Sequence, residues 1–252
     1  MTSRQINASS SVDNVRAVIL AGGTGRRLAP YTTILPKPLM PIDDMPILEV
    51  VVRQLRRAGI RDITLAVGYL ASLLEAYFGD GSKWGVRICY SREETPLGTA
   101  GPLTLVSGLD HTFLVMNGDL LTTLDYDAMV RFHREQGAVA TVGLFDKEVH
   151  LDLGVIETDN VNRVTGYVEK PTLHYQVSMG MYVMEPEVLR YIPTGQKFDL
   201  PELVKALIAE GLPVIGYQFD GYWLDIGRQE DYVQAVDLFQ RERTLFLPGV
   251  ES

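Results

Sequence analysis

Val15–Leu20 reads VRAVIL, and the stretch that follows it, Ala21–Pro30, reads AGGTGRRLAP. A continuous apolar run suits a strand buried on both faces. Glycines directly after it let backbone N–H groups approach a ligand with no Cβ in the way. Arg26 and Arg27 add fixed charge, and a guanidinium is a forked donor for phosphate oxygens. The pattern Gly22-Gly23-x-Gly25 is not the dinucleotide GxGxxG, nor is it a Walker A loop, since no Gly-Lys-Ser/Thr follows. Read alone, the stretch is a strand and then either an anion-holding loop or a surface turn with solvated arginines.

Outward from this strand the chain alternates strand-like and helix-like segments. Pro46–Gly59 (PILEVVVRQLRRAG) carries apolar residues at helical spacing with arginines on the other face. ITLAVGY (63–69), VRICYS (86–91), HTFLVMNGD (111–119) and AVATVGLF (138–145) read as strands. ASLLEAYFG (71–79) and Asp125–Gln136 read as helices, and the loop REETPLGTAGPL (92–103) leads into a further helix-like run. This β-α alternation predicts a mainly parallel sheet covered on both faces, with ligands beyond the carboxyl ends of its strands. After Val155 the texture changes. GVIETDNVNRVTGYVEKP (154–171) predicts a hairpin turning near Asp159-Asn160, and VSMGMYVMEP (177–186) a short strand. LPELVKALIAEG (200–211) is an amphipathic helix ended by Gly211. PVIGYQFDGYWLDIG (213–227) gives two short strands around an Asp220-Gly221 turn, and DYVQAVDLFQRER (231–243) a final helix.

Composition narrows the function. The 252 residues are 46% hydrophobic and 22% charged, as in ordinary globular domains. A net charge of -9 argues against a general nucleic-acid binder, and obliges any phosphate site to supply local Lys, Arg or metal. No apolar run approaches the ~20 residues that span a bilayer, so no membrane partner is expected. Cys89 is the only cysteine, which excludes an intrachain disulfide and suits a reducing cytoplasm. Lying in VRICY, it reads as a buried structural thiol. The opening MTSRQINASSSVDN lacks the apolar centre of a signal peptide. Residues 1–14 read as a disordered leader, 15–240 as one domain with halves at about 15–150 and 151–240, and 241–252 as a tail. His111, His133, His150 and His174 lack metal-site spacing and read as surface or incidental; Met179, Met181 and Met184 read as strand packing, and Asp43-Asp44 as a solvated turn.

A second constellation follows the glycine loop. In LPKPLMPI (35–42) three prolines bracket Lys37; proline fixes φ and stiffens the segment, so the ammonium is held in place. Together, AVILAGGTGRRLAPYTTILPKPLMPI (17–42) resembles the signature of the sugar-1-phosphate nucleotidyltransferases, roughly GGxGTRLxPxTxxxPKPLxP. The resemblance continues through SREETPLGTAGPL, VMNGD, GYVEKP, MGMYVMEP and GYWLDIGRQEDY, covering Val15 to about Gln240.

The resemblance implies an α/β, Rossmann-like three-layer fold with a largely parallel mixed sheet. The implied reaction joins a nucleoside triphosphate to a sugar 1-phosphate and releases pyrophosphate. It implies that Leu20, Ala21, Gly22, Gly23 and Gly25 contact the nucleotide, with Gly118 nearby. Arg27 would hold the triphosphate, and Lys37 the α-phosphate region. Asp119 and Asp225 match the aspartates that hold Mg²⁺, a cation preferring oxygen ligands. Glu93, Pro96, Gly98 and Thr99 fall at the base site. Gly154, Glu169, Lys170 and Gly180 fall at the sugar site, with Lys170 on the sugar phosphate and Glu169 on sugar hydroxyls. PLGTAGPL most resembles the guanylyltransferase form, which points to GTP with a mannose- or manno-heptose-type acceptor. Rivals within the class use UTP, dTTP, CTP or ATP. Two departures stand out: Arg26 replaces the usual Thr, and Met179 precedes Gly180 where a small or amide residue is common. The chain stops soon after the last helix, so the C-terminal β-helix of larger relatives is not expected. A cytoplasmic enzyme and a homo-oligomer are further family expectations. Two other classes compete. A catalytically silent sugar-nucleotide sensor would lose the phosphate and metal residues, yet Arg27, Lys37, Asp119 and Asp225 are all present. A glycosyltransferase would use a DxD motif, but Asp125-Tyr126-Asp127 opens a helix.

Overall fold

The structure, a computed structural model, describes Val12 and residues 14–249. Its elements in chain order are β1 (Arg16–Ala21), β2 (Pro41–Ile42), β3 (Met45–Pro46), α1 (Ile47–Arg57), β4 (Asp62–Val67), α2 (Ala71–Phe78) and β5 (Arg87–Arg92). Next come β6 (Phe113–Asn117), β7 (Leu120–Thr122), α3 (Tyr126–Gln136), β8 (Ala140–His150), β9 (Val155–Thr158), β10 (Val164–Val168) and β11 (Thr172–Met184). The chain closes with α4 (Leu200–Ala209), β12 (Val214–Phe219), β13 (Trp223–Asp225) and α5 (Gln229–Phe246).

The main sheet has seven strands in the order β12-β8-β11-β6-β1-β4-β5. Strands β1, β4, β5 and β6 pair in parallel, as do β8 and β12. Only β11 runs against its neighbours, β6 and β8. This is the mainly parallel α/β sheet that the alternation predicts, and its mixed pairing is the one the resemblance implies. VRAVIL is apolar throughout because both faces of β1 are covered. Ala17, Ile19 and Ala21 join the core under α1 and α2. Val18 points the other way, into the core with Leu200, Leu203 and Leu207 of α4. Each fully buried aliphatic side chain contributes about 1.5–3 kcal/mol. A third core holds Leu28, Met40, Leu121, Ile226, Phe239 and Phe246, and fastens α5 beneath the glycine and proline segments. The leader expectation lies outside the described residues except at Val12 and Asn14, and Val12 is buried in the first core.

Several elements depart from the sequence reading. Strand β11 has 13 residues and is not short, because its first half pairs with a polar extension of β8 as far as Thr172↔His150. The strands of PVIGYQFDGYWLDIG do not pair with each other: β12 extends the main sheet beside β8, whereas β13 pairs with β7. Helix α5 runs to Phe246, and Phe246 and Leu247 are buried, so residues 241–247 pack with the body. Asp43 and Asp44 are not merely solvated, since both accept from Arg243 of α5. That guanidinium holds the Asp44 carboxyl below its usual range. Cys89 is exposed, because it alternates with buried Ile88 on an edge strand. His133 is 1% exposed: Nδ1 lies 2.8 Å from Thr141 Oγ1 and Nε2 3.1 Å from Glu185 Oε1. Burial depresses its pKa against the opposing pull of Glu185. Met179, Met181 and Met184 are fully buried on β11, as strand packing requires. No helix is long and apolar enough to cross a membrane among the described residues.

Candidate active site

The loops leaving β1, β4, β5 and β6 meet on one rim of the sheet. At Gly22 a Cβ would stand 2.7 Å from Glu93 Oε1, so only glycine leaves room for that carboxylate. Glu93 Oε2 in turn accepts from Leu97 N at 2.9 Å, which folds the loop after β5 around the carboxylate that packs on Gly22. Gly98 has φ +82°, and a Cβ there would stand 2.5 Å from Asp199 Oδ1. The same oxygen accepts from Thr99 N at 2.8 Å. Thr99 Oγ1 accepts from Leu200 N at 2.8 Å, capping α4 from another loop. Pro96 sits exposed at the tip.

On the opposite side of the rim, Gly25 has φ +60°, and its carbonyl accepts from Thr32 Oγ1 at 2.8 Å. A 3₁₀ turn, Arg26–Leu28, follows; Leu28 is buried and both arginines stay exposed. Lys37 opens a second 3₁₀ turn, Lys37–Leu39, between Pro36 and Pro38. It is 9% exposed, and its amine bonds Asp119 Oδ2 and lies 4.0 Å from Asp225 Oδ1. Gly118 N donates to Leu20 O at 3.0 Å, which sets Asp119 against the end of β1. Asp225 reaches the same point through the β7–β13 ladder, where it faces Leu120, and Ile226 N donates to Asp119 O at 3.2 Å. Residues 37, 119 and 225 are thus assembled by three separate elements.

Among the described residues, Asp119 Oδ1 is buried with no hydrogen-bond partner. The Asp225 carboxyl is pushed up by burial and then by the Asp119 charge, against the pull of Lys37 and Arg27. An all-oxygen donor pair with one orphaned buried oxygen fits a hard divalent cation such as Mg²⁺. No group of three or more His, Cys, Asp or Glu is placed to hold a metal ion among the described residues, so phosphate oxygens and water would complete the shell.

Of the expected sugar-side residues, Gly180 joins this centre. It has φ +70°, and a Cβ would stand 2.6 Å from Asn117 Nδ2 at the end of β6. The preceding Met179 O accepts from Trp223 Nε1 at 3.0 Å, and Trp223 lies two residues before Asp225. Gly154, Glu169 and Lys170 belong to the β9–β10 hairpin and its exit. There Tyr167 OH donates to Glu169 Oε2 at 2.9 Å, and Lys170 takes φ 45°. No hydrogen bond or ion pair among the described residues joins Glu169 or Lys170 to Lys37, Asp119 or Asp225.

Residues 16–242 match the sequence profile of the family described as Nucleotidyl transferase. The chain belongs to the sugar-1-phosphate nucleotidyltransferase family. This nucleotidyltransferase is 38% identical over 259 residues to a UTP--glucose-1-phosphate uridylyltransferase of Synechocystis sp., covering 94% of this chain and 67% of that one. It is 38% identical over 229 residues to a mannose-1-phosphate guanylyltransferase of Mycobacterium tuberculosis, covering 88% and 63%. It therefore spans about two thirds of the length of these relatives. A crystallised Bacillus anthracis protein, provisionally named a glucose-1-phosphate thymidylyltransferase, shares the fold at TM-score 0.72 and 23% identity, covering 94% and 97%. Three residues that organise the site were not singled out from the sequence: Asn117, Asp199 and Trp223. Asn117 and Trp223 stand in quoted motifs, but their partners are distant in the chain.

Proposed function

We propose that this chain transfers a nucleotidyl group from GTP to a manno-configured sugar 1-phosphate, giving the nucleotide sugar and pyrophosphate. The carrying observation is the Lys37 amine held between Asp119 and Asp225 beside the glycine loop. Backbone groups of Leu20–Gly25 hold the nucleotide, and Arg27 binds the triphosphate. A sugar phosphate oxygen attacks the α-phosphorus in line and the bond to pyrophosphate breaks. That nucleophile is already an anion, so no general base is required. The chain contributes position and charge compensation around a crowded anionic transition state. Before substrate arrives, Asp119 compensates the buried Lys37 charge; afterwards phosphate oxygens take its place. Asp119 and Asp225 would hold Mg²⁺, which when bound neutralises phosphoryl oxygens. Lys170 and Glu169 receive the sugar phosphate and hydroxyls from the hairpin.

The guanylyl preference is supported by the PLGTAGPL loop and by the M. tuberculosis relative's name. A second reading, UTP with glucose 1-phosphate, is favoured by the Synechocystis relative. The test is pyrophosphate release with Mg²⁺ across five nucleoside triphosphates and a panel of sugar 1-phosphates. Release confined to GTP with a manno-configured acceptor is expected. Release with another pair overturns the substrate choice and keeps the reaction. Binding of nucleotide sugars without release anywhere would show a sensor.

A further inference from the structure

Helix α5 begins shortly after Asp225, and one stripe of it faces the segment that carries Arg27 and Lys37. Gln229, Tyr232, Val236, Phe239, Arg243 and Phe246 alternate three- and four-residue spacings, which puts them on one side of the helix. The middle of the stripe is apolar: Phe239 and Phe246 are buried with Leu28, Met40 and Ile42 of that segment, and Val236 packs against the same core. Its polar members grip the segment at three places. Gln229 Nε2 donates to Ala29 O at 3.0 Å, just past Arg27. Tyr232 OH donates to Pro41 O at 2.6 Å, just past Lys37. Arg243 bonds Asp43, and donates to the two carboxylate oxygens of Asp44 at 2.8 and 3.2 Å.

The Tyr232 bond answers a need set by the β2–β3 ribbon. Met40 O accepts from Ile47 N at 3.0 Å. In an antiparallel pair, bonded residues alternate with non-bonded ones, so Pro41, the next residue, turns its carbonyl away from β3. The tyrosine hydroxyl takes that carbonyl. Met40 N in turn donates to Lys37 O at 3.0 Å, so a single turn joins Lys37 to the gripped Pro41. At the other end, Gly227 N donates to Asp225 O at 2.8 Å and Tyr232 N to Arg228 O at 3.0 Å. Asp225 and Tyr232 therefore ride on one stretch of bonded backbone. We propose that α5 clamps the segment and that Tyr232 is a positioning residue, setting the place of the Lys37 amine against Asp225 through the Pro41 carbonyl. This rests on the reaction proposed above, in which Lys37 acts on the α-phosphate region. Slippage of residues 37–41 along α5 would carry the amine away from the reacting phosphorus, and a misplacement of about 1 Å can cost on the order of 10²-fold in rate.

The test reads Lys37 itself and then the reaction. Acetic anhydride labelling of the substrate-free protein, followed by mass spectrometry, compares Lys37 with the exposed Lys147. Tyr232→Phe removes only the hydroxyl and should raise the relative labelling of Lys37 about fivefold, the scale of one lost hydrogen bond. Val233→Ala, at the neighbouring exposed position of α5, should leave it unchanged. In pyrophosphate release, Tyr232→Phe should lower turnover at least about fivefold while the Michaelis constant for nucleotide moves less than about twofold, because the glycine loop lies outside the clamp. In a Lys37→Ala background the same change should cost no further turnover, since both act through one amine. The inference is overturned if Tyr232→Phe labels Lys37 as wild type does, if its turnover is unaltered, or if its loss multiplies in full with that of Lys37→Ala, the mark of a general structural role. If wild type releases pyrophosphate with no substrate pair, the proposed reaction fails, and the labelling ratio alone decides the clamp.

Discussion

Gly98→Ala should destabilise the protein by about 3 kcal/mol, and the structure supplies the terms. At φ +82° an alanine pays left-handed strain of about 1 kcal/mol. Its Cβ would stand 2.5 Å from Asp199 Oδ1 and 2.7 Å from Phe198 O, so Asp199 must move. Moving it breaks the bond from Thr99 N, about 1.5–3 kcal/mol for a hydrogen bond to a charged group. The assay is urea unfolding of Gly98→Ala, Asp199→Ala and the double variant. Both single changes remove the same hydrogen bond, so the double variant should cost less than their sum by at least about 1 kcal/mol. The Michaelis constant for nucleotide should rise in both singles, because the same loop forms the proposed base site. Additive destabilisation, or a Gly98→Ala loss below about 0.5 kcal/mol, would refute the view that Asp199 shapes the loop.

Lys37→Ala should lower the turnover rate at least about 10²-fold while the fold persists, the scale for removing one transition-state charge contact; a steady-state rate within threefold of wild type would remove Lys37 from catalysis. Trp223→Phe loses the bond to Met179 O, worth about 1 kcal/mol, and should raise the Michaelis constant for sugar 1-phosphate about fivefold. The constant for nucleotide measured alongside should change far less. His133 should make stability fall in acid. Its pKa is depressed in the fold, so below about pH 6.5 the unfolded chain binds the extra proton and stability declines as pH drops, by at most about 1.4 kcal/mol per pH unit. Urea midpoints at pH 7.5 and 5.5 should differ in wild type, and the difference should shrink in His133→Gln.

The fold was legible where burial is two-sided or periodic. VRAVIL, ITLAVGY and the α1 pattern announce themselves because every position answers to a core. The polar first half of β11 escaped notice since it pairs with β8 outside the packed layers, where hydropathy carries no signal. Pairing partners were illegible too: nothing local in GYWLDIG says that Trp223 faces Thr122. The glycine loop, Lys37, Asp119 and Asp225 could be listed from motif likeness, and the structure brings the last three within ion-pair reach. The misreadings of Cys89, His133 and Asp43-Asp44 share one cause. Whether a polar or sulfur side chain meets water or a partner depends on elements far along the chain.

The single reversed strand has a further consequence. Strand β8 ends, and β11 begins, on the rim where the glycine loop lies, and the two are hydrogen-bonded neighbours. Residues 151–171 therefore leave and re-enter the sheet at almost one place, like a tool in a socket. Inserting or deleting residues there shifts no register of the seven-stranded sheet, and doubling a loop costs only about 0.6 kcal/mol in closure entropy. Under the proposed placement of the acceptor on Glu169 and Lys170, acceptor preference can drift, or be transplanted between homologues, while the residues at 37, 119 and 225 stay fixed.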